Sequence, residues 1–271
     1  MHRKVKMRFY ILLLIAILLI LIAIFGPLLA PKDPYKINLL NVLSPPNREN
    51  LLGTDRLGRD FLSRILYASR NSFALTFAIV LIISFIGSAI GIAAGYFGGL
   101  ADKIIMQIAD VLLAFPAIVF AIAVVGVLAP GVRNLLGALA VICWAKYARL
   151  TRGLVFEIRN REYITQALFG GCRWYHIICR YIMPNILPHI IVTTTSDISE
   201  MMITLSALSY LGLSTRPPVP EWGSMLANNR IYIMTIPHMA LMPAFAILIT
   251  VVVFSLLGDS LRDFLDPRMR G

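Results

Sequence analysis

Three long stretches of this 271-residue chain, 9–30, 73–101 and 231–258, contain no Asp, Glu, Lys or Arg. About 20 residues of α-helix at 1.5 Å per residue cross the hydrocarbon core of a bilayer. Runs of this length and purity therefore read as bilayer-spanning helices. Composition agrees: the chain is 58% hydrophobic and only 14% charged, against about half and about a quarter in a soluble domain. An ordinary soluble enzyme, a disordered chain and a fibrous protein are all excluded. Lys plus Arg is 25 and Asp plus Glu is 14, a net charge of +11. The excess lies between apolar runs, where basic residues fix topology or meet lipid headgroups. No basic-aromatic module accompanies it, so the charge does not point to nucleic acid. Cys143, Cys172 and Cys179 form no CxxC pair, which argues against a disulfide framework.

The expected architecture is all-α with six transmembrane helices. Arg3, Lys4, Lys6 and Arg8 precede the first span, Phe9–Ala30. Its length exceeds the apolar core of a signal peptide, so it is read as retained, with a cytoplasmic N-terminus. The connection to Ser72 is polar, and Phe61, Leu62, Ile65 and Leu66 within Arg59–Arg70 predict an amphipathic interfacial helix. The second span is Phe73–Phe97, in which Gly87, Gly91 and Gly95 allow close helix approach. The third is Ile104–Leu128, the fourth Leu135–Tyr147, the fifth His189–Leu211 and the sixth Met239–Gly258. Both termini then lie in the cytoplasm. Three regions result: 1–72, a first helix and its polar connection; 73–260, a five-helix core; and 261–271, a cytoplasmic tail. The connection 31–72 fits least well, since it holds seven basic residues on the outer side.

No Gly-Lys pair occurs, so the phosphate-cradling loop GxxxxGK[ST] is absent from the sequence. HExxH and GxSxG are absent too, and the four histidines are scattered. An intramembrane hydrolase would need a nucleophile–base pair that the sequence does not offer. Arg149–Asn185 is the most informative polar stretch. Arg161–Phe169 reads as a short helix with Ile164, Ala167 and Leu168 on one apolar face, broken by Gly170-Gly171. Arg173–Tyr181 reads as a second helical stretch, stopped by Pro184 and Pro188. Such a unit serves either as a docking knob or as an interfacial loop with a solvated face.

Several motifs, in order, carry a family resemblance. They are Leu52-Gly53-Thr54-Asp55-Arg56-Leu57-Gly58-Arg59-Asp60 with Ser63-Arg64, and Gly95-Tyr96-Phe97-Gly98-Gly99 with Asp102. Tyr147-Ala148-Arg149, Arg161-Glu162-Tyr163, Pro184-Asn185 and Leu211-Gly212-Leu213 follow. Glu221-Trp222-Gly223, Gly258–Asp263 and Leu265-Asp266-Pro267-Arg268 complete the set. The chain resembles the second permease subunit of the bacterial dipeptide/oligopeptide/nickel ABC importers. That resemblance implies a type I importer permease fold in the bacterial cytoplasmic (inner) membrane. It also implies a homologous permease partner, two ABC ATPase subunits and an extracytoplasmic solute-binding protein. ATP and Mg would be bound by the ATPases, with no cofactor and no catalytic site on this chain. The knob becomes the coupling helix, with Arg161, Glu162, Ile164, Thr165, Ala167, Leu168, Gly171 and Pro184 as the coupling residues. The family pattern Glu-Ala-Ala, three residues, Gly, then Ile-x-Leu-Pro is met at Ala167, Gly171 and Pro184. It is not met at Thr165, Gln166 and Met183.

Asp197 and Glu200, three apart in the fifth span, share a helix face. Ionisable groups at membrane depth face a bundle interior or a water path. They are candidates for the translocation path, with Met201 and Asp110; a span-end position or a polar contact to a partner subunit is the alternative. Lys146 reads as a snorkelling helix-end residue. Met201, Met202, Met225, Met234, Met239 and Met242 read as packing residues rather than soft-metal ligands. Glu221 and Trp222 are candidates for binding-protein contact, with Trp222 expected in an interfacial belt. Asp197-Ile198-x-x-Met201-Met202 and Arg230-x-Tyr232-Ile233-x-Thr235-x-Pro237 resemble the nickel branch more than the oligopeptide branch. The expected cargo is nickel or a metal chelate, with dipeptides or oligopeptides as the alternative. An ATP-independent channel or secondary carrier is the alternative of a different class.

Overall fold

A computed structural model describes residues 2–215 and 217–265; of residues 2–5 it gives the backbone alone. The end of the tail, 266–271, and with it the Asp266-Pro267-Arg268 motif, lies outside the described residues. Ten α-helices follow in order among them: α1 His2–Leu29, α2 Phe61–Phe97, α3 Gly99–Leu113, α4 Ala117–Leu128 and α5 Val132–Arg159. Then come α6 Glu162–Phe169, α7 Trp174–Ile177, α8 Met183–Tyr210, α9 Trp222–Asn229 and α10 His238–Leu265.

Four stretches are long and apolar enough to cross a membrane: Lys6–Leu29, Phe61–Phe97, Trp174–Tyr210 and His238–Leu265. A fifth arises if α3 and α4, bent by 88° at their junction, count as one span. The six spans expected from the sequence are therefore not reached on length and hydropathy. The expected third span is broken because Pro116 caps α4 in extended backbone, where proline cannot continue the preceding helix. The expected fourth span grows into a 28-residue helix, α5, whose Lys146, Arg149 and Arg152 are paired with carboxylates instead of ending it.

The expected interfacial helix at Arg59–Arg70 is instead the start of α2, which runs unbroken for 37 residues. Asp60 starts it: one carboxylate oxygen accepts the Ser63 backbone N–H at 2.8 Å and the Ser63 hydroxyl at 2.6 Å. The charges of this stretch did not mark a solvated face. Asp55 holds Arg59 at 2.7 Å and Arg64 at 3.4 Å, and all three side chains are under 10% exposed. Arg64 also donates to the Pro34 carbonyl at 3.1 Å, and Lys32 to Asn50 at 2.8 Å. Part of the basic excess of 31–72 is thus internal and neutralised, which the positive-inside rule does not count.

α2 packs most extensively on α5. Gly87, Gly91 and Gly95 stand against the carbonyls of Trp144, Ala148 and Arg152. A methyl group at Gly95 would lie 2.9 Å from the Arg152 oxygen, so only glycine lets the backbones meet this closely. α1 lies on both α2 and α10, with Ala16 and Ala23 buried and Gly26 against the Leu66 carbonyl of α2. Two apolar clusters form. The larger joins α1, α2, α4, α5, α8, α9 and α10 through Ala16, Ile79, Val125, Leu139, Met202, Trp222 and Phe254. The smaller gathers Tyr96, Val155, Ile158, Ile164, Ile177, Ile182 and Ile186 at the α6 end.

Pro184 and Pro188 do not stop the second helical stretch as expected. The chain passes from α7 through a π-turn, Ile178–Ile182, directly into α8. A π-turn widens the helix where a proline ring would meet the preceding turn and its N–H is missing.

Candidate functional site

Two regions concentrate polar and exposed chemistry, one at the α6 end and one midway along α5 and α8. At the α6 end, Arg161 precedes α6 and pairs with Glu157 at 2.8 Å. Glu162 opens the helix, and Glu162 and Thr165 are both exposed. Gly171 turns the chain with φ +80, a left-handed conformation that glycine adopts without strain. A side chain there would meet open space. Pro184 is exposed near the start of α8. The expected apolar face splits. Ile164 is fully buried in the smaller cluster, whereas Leu168 is 49% exposed. The two lie one turn apart on the same face, so the first turn of this eight-residue helix is seated and the second projects into solvent. Phe169 (89% exposed), Trp174 and Tyr175 are exposed as well. Sequence reading passed over Phe169; an aromatic ending a short helix just before Gly-Gly is the signal that marks it.

Midway along the long helices, Lys146 of α5 lies between two carboxylates of α8. Its ammonium donates to Asp197 Oδ1 at 2.8 Å and to Glu200 Oε2 at 2.9 Å. Lys146 is near the middle of α5 and Asp197 near the middle of α8, so the snorkelling reading is corrected. No helix end is near enough, and the side chain turns to the acids instead. The three groups differ in cover: the side chains of Lys146, Asp197 and Glu200 are 44%, 4% and 59% exposed. The i,i+3 spacing brings both acids to one cation, as a shared helix face allows. Met201 lies in the larger core cluster instead. Asp110 is separate, paired across α3 and α5 with Arg149. A second α3–α5 pair joins Arg152 to Asp102 by two bonds, 3.0 and 2.7 Å. Met202, Met225 and Met239 are buried in the core, as packing residues are.

Glu221 and Trp222 sit at the opposite end. Glu221 caps α9, its carboxylate accepting from the N–H groups of Gly223 and Ser224, both at 2.9 Å. Burial pushes its carboxyl above the usual carboxylate range, against the pull of those two N–H groups. Trp222 is 4% exposed, with its indole N–H on the Ile65 carbonyl at 3.2 Å. It is a core residue joining α9 to α2, not a member of an interfacial belt.

The sequence matches, over residues 87–271, the family of binding-protein-dependent transport system inner membrane components. Residues 8–46 match the N-terminal TM domain of oligopeptide transport permease C. The chain belongs to this family of permeases. Its relatives include the dipeptide transport system permease protein DppC of Alkalihalophilus pseudofirmus, 40% identical across 93% of this chain and 83% of that one. The glutathione transport system permease protein GsiD of Pectobacterium atrosepticum is 42% identical, covering 95% and 86%. DppC of Haemophilus influenzae is 38% identical, covering 95% and 90%. Among solved structures, a chain of the MetNI methionine ABC transporter, in inward-facing conformations, aligns with a TM-score of 0.53 at 16% identity. That alignment covers 72% of this chain and 95% of the other, and it concerns the fold alone. The chain is thus a multi-pass permease subunit of an ABC importer, with the type I importer permease fold.

Proposed function

We propose that this permease imports dipeptides or comparable short peptides such as glutathione. The observation that carries the cargo is the identity of its relatives. DppC and GsiD, matched over more than nine-tenths of this chain, are named as dipeptide and glutathione permeases. Those names favour peptides over the nickel cargo expected from the motifs in α8 and after α9. The chain works with a homologous permease, two ATPases that bind ATP and Mg, and an extracytoplasmic binding protein. This chain holds no ATP itself. The α6 end faces the cytoplasm, as do both termini.

In this reading α6 is the coupling helix. Ile164 anchors it to the permease, and Leu168, Phe169, Trp174 and Tyr175 offer an exposed apolar surface to an ATPase groove. Glu162, Thr165 and Arg161 supply polar contacts at its rim, and Ala167, Gly171 and Pro184 shape the turn and its exit. Closure of the ATPases moves these helices and shifts the bundle between inward-open and outward-open states, since the two states contact the ATPases differently. The path runs along the side of α5 and α8 that carries Asp197 and Glu200. Asp110 joins it from α3, and Met201 backs it from the core.

The test is uptake by the whole complex in proteoliposomes. Dialanine or glutathione is expected to accumulate with ATP, and import of a nickel chelate without either peptide would overturn the cargo. Phe169→Asp and Gly171→Asp are each expected to keep the permease folded but to lose cargo-stimulated ATPase activity. Normal coupling in both would overturn the role of α6.

A further inference from the structure

We propose that Lys146, Asp197 and Glu200 form a site for the two charged ends of the peptide within the translocation path. This rests on the peptide reading above. A peptide in water is a zwitterion, with an ammonium at one end and a carboxylate at the other. Lys146 takes the cargo carboxylate, and Glu200, released from Lys146, takes the cargo ammonium.

Depth and exposure carry the argument. Asp197 and Glu200 lie well inside the candidate span Trp174–Tyr210, and Lys146 of α5 reaches them there. Charges at such depth are costly in hydrocarbon and face water or protein. Yet Lys146 and Glu200 are 44% and 59% exposed in the single chain. Their open side therefore faces a wet cavity, closed by the second permease, and not lipid.

The inequality between the two acids gives the site its mechanism. Asp197 is buried, so it holds Lys146 in place at 2.8 Å. Glu200, at 2.9 Å from the same ammonium, is open and free to rotate away. When a zwitterion enters, its carboxylate replaces Glu200 on Lys146 and its ammonium replaces Lys146 on Glu200. Each charge keeps a partner throughout, so no unpaired charge is left in a poorly solvated place. A bare divalent cation has no such exchange, because it meets the ammonium of Lys146 between the two carboxylates.

The test uses the whole complex with its binding protein in proteoliposomes. Wild-type import of dialanine and of glutathione is measured first; import of neither overturns the peptide reading and the site with it. With import established, Lys146→Gln is expected to lower the import rate at saturating loaded binding protein by about tenfold or more, the size of a lost charged hydrogen bond. Lys146→Arg is expected to restore most of it. A second variant reads the cavity with the site intact. Ile203, one helical turn beyond Glu200, is 51% exposed. Ile203→Cys, with Cys143, Cys172 and Cys179 changed to serine, is exposed to a membrane-impermeant maleimide. Labelling is expected, and it slows when ATP is supplied with loaded rather than empty binding protein. A merely structural ion pair would not make labelling depend on cargo. Unchanged import in Lys146→Gln, no labelling at 203, or labelling indifferent to cargo each overturns the site while leaving peptide import standing.

Discussion

α1 and α8 each leave one side open, though the rest of the chain covers them unequally. α1 buries Leu12, Ala16, Ala23 and Gly26, whereas α8 buries 11 of its 28 residues. What they leave open differs in polarity, although α8 also exposes Leu187, Ile191 and Ile203. α1 shows Leu14, Leu18, Leu21, Ile24 and Leu28, all suited to acyl chains. α8 shows His189 and Glu200 on its open side, beside a half-buried run of Thr193, Thr194, Thr195 and Ser196. Exposed surface in one chain thus stands for two solvents. In the proposed assembly the open side of α1 meets lipid, and that of α8 meets water and the second permease.

Four substitutions sharpen or break this contrast. Leu18→Lys, near the middle of α1, is expected to have the largest effect. A lysine for leucine at a helix centre shifts apparent insertion by about 3–4 kcal/mol. A membrane-insertion assay should show α1 failing to integrate; normal insertion would mean that α1 faces water as α8 does. On the covered side of α1, Ala23→Leu overfills a buried position and is expected to cost about 1–3 kcal/mol. A clear fall in the thermal unfolding midpoint in detergent checks it. Asp197→Asn keeps shape and removes charge from a nearly closed position. The loss of the stronger, charged hydrogen bond to Lys146 is expected to cost about 1 kcal/mol, read in the same melting experiment. Leu14→Phe, apolar for apolar on the open side of α1, is expected to change stability by less than about 0.5 kcal/mol. A larger loss would reveal a protein partner on that side.

The sequence declares the elements that depend on local composition. The charge-free runs lie within α1, α2 with the start of α3, and α10, and the glycines of α2 meet α5 as their spacing implies. Where pairing across the chain decides, the sequence is silent. Arg59 and Arg64 resemble a wet face until Asp55 and the Pro34 carbonyl are folded onto them. The shared face of Asp197 and Glu200 is readable from their spacing of three. Their cation is 51 residues from Asp197 in the chain, so Lys146 passes for a helix-end residue. Ile164 and Leu168 fit one apolar stripe by period, but only the first turn of this helix is packed, and period does not say where along a stripe the packing stops. Trp222 shows the same limit: nothing local distinguishes an interfacial tryptophan from one whose indole bonds to Ile65 of another helix.

α2 has a mechanical consequence. Its 37 residues make a rod about 55 Å long, well beyond the roughly 30 Å thickness of hydrocarbon it crosses. One end is clamped by Asp60 and by Trp222 on Ile65, and the other by Tyr96 in the cluster that also seats Ile164 of α6. A stiff bar fixed in this way needs no relay of side-chain rearrangements. Tilting it by about 5° carries its far end about 5 Å, so torque applied at one membrane face is felt at the other as displacement.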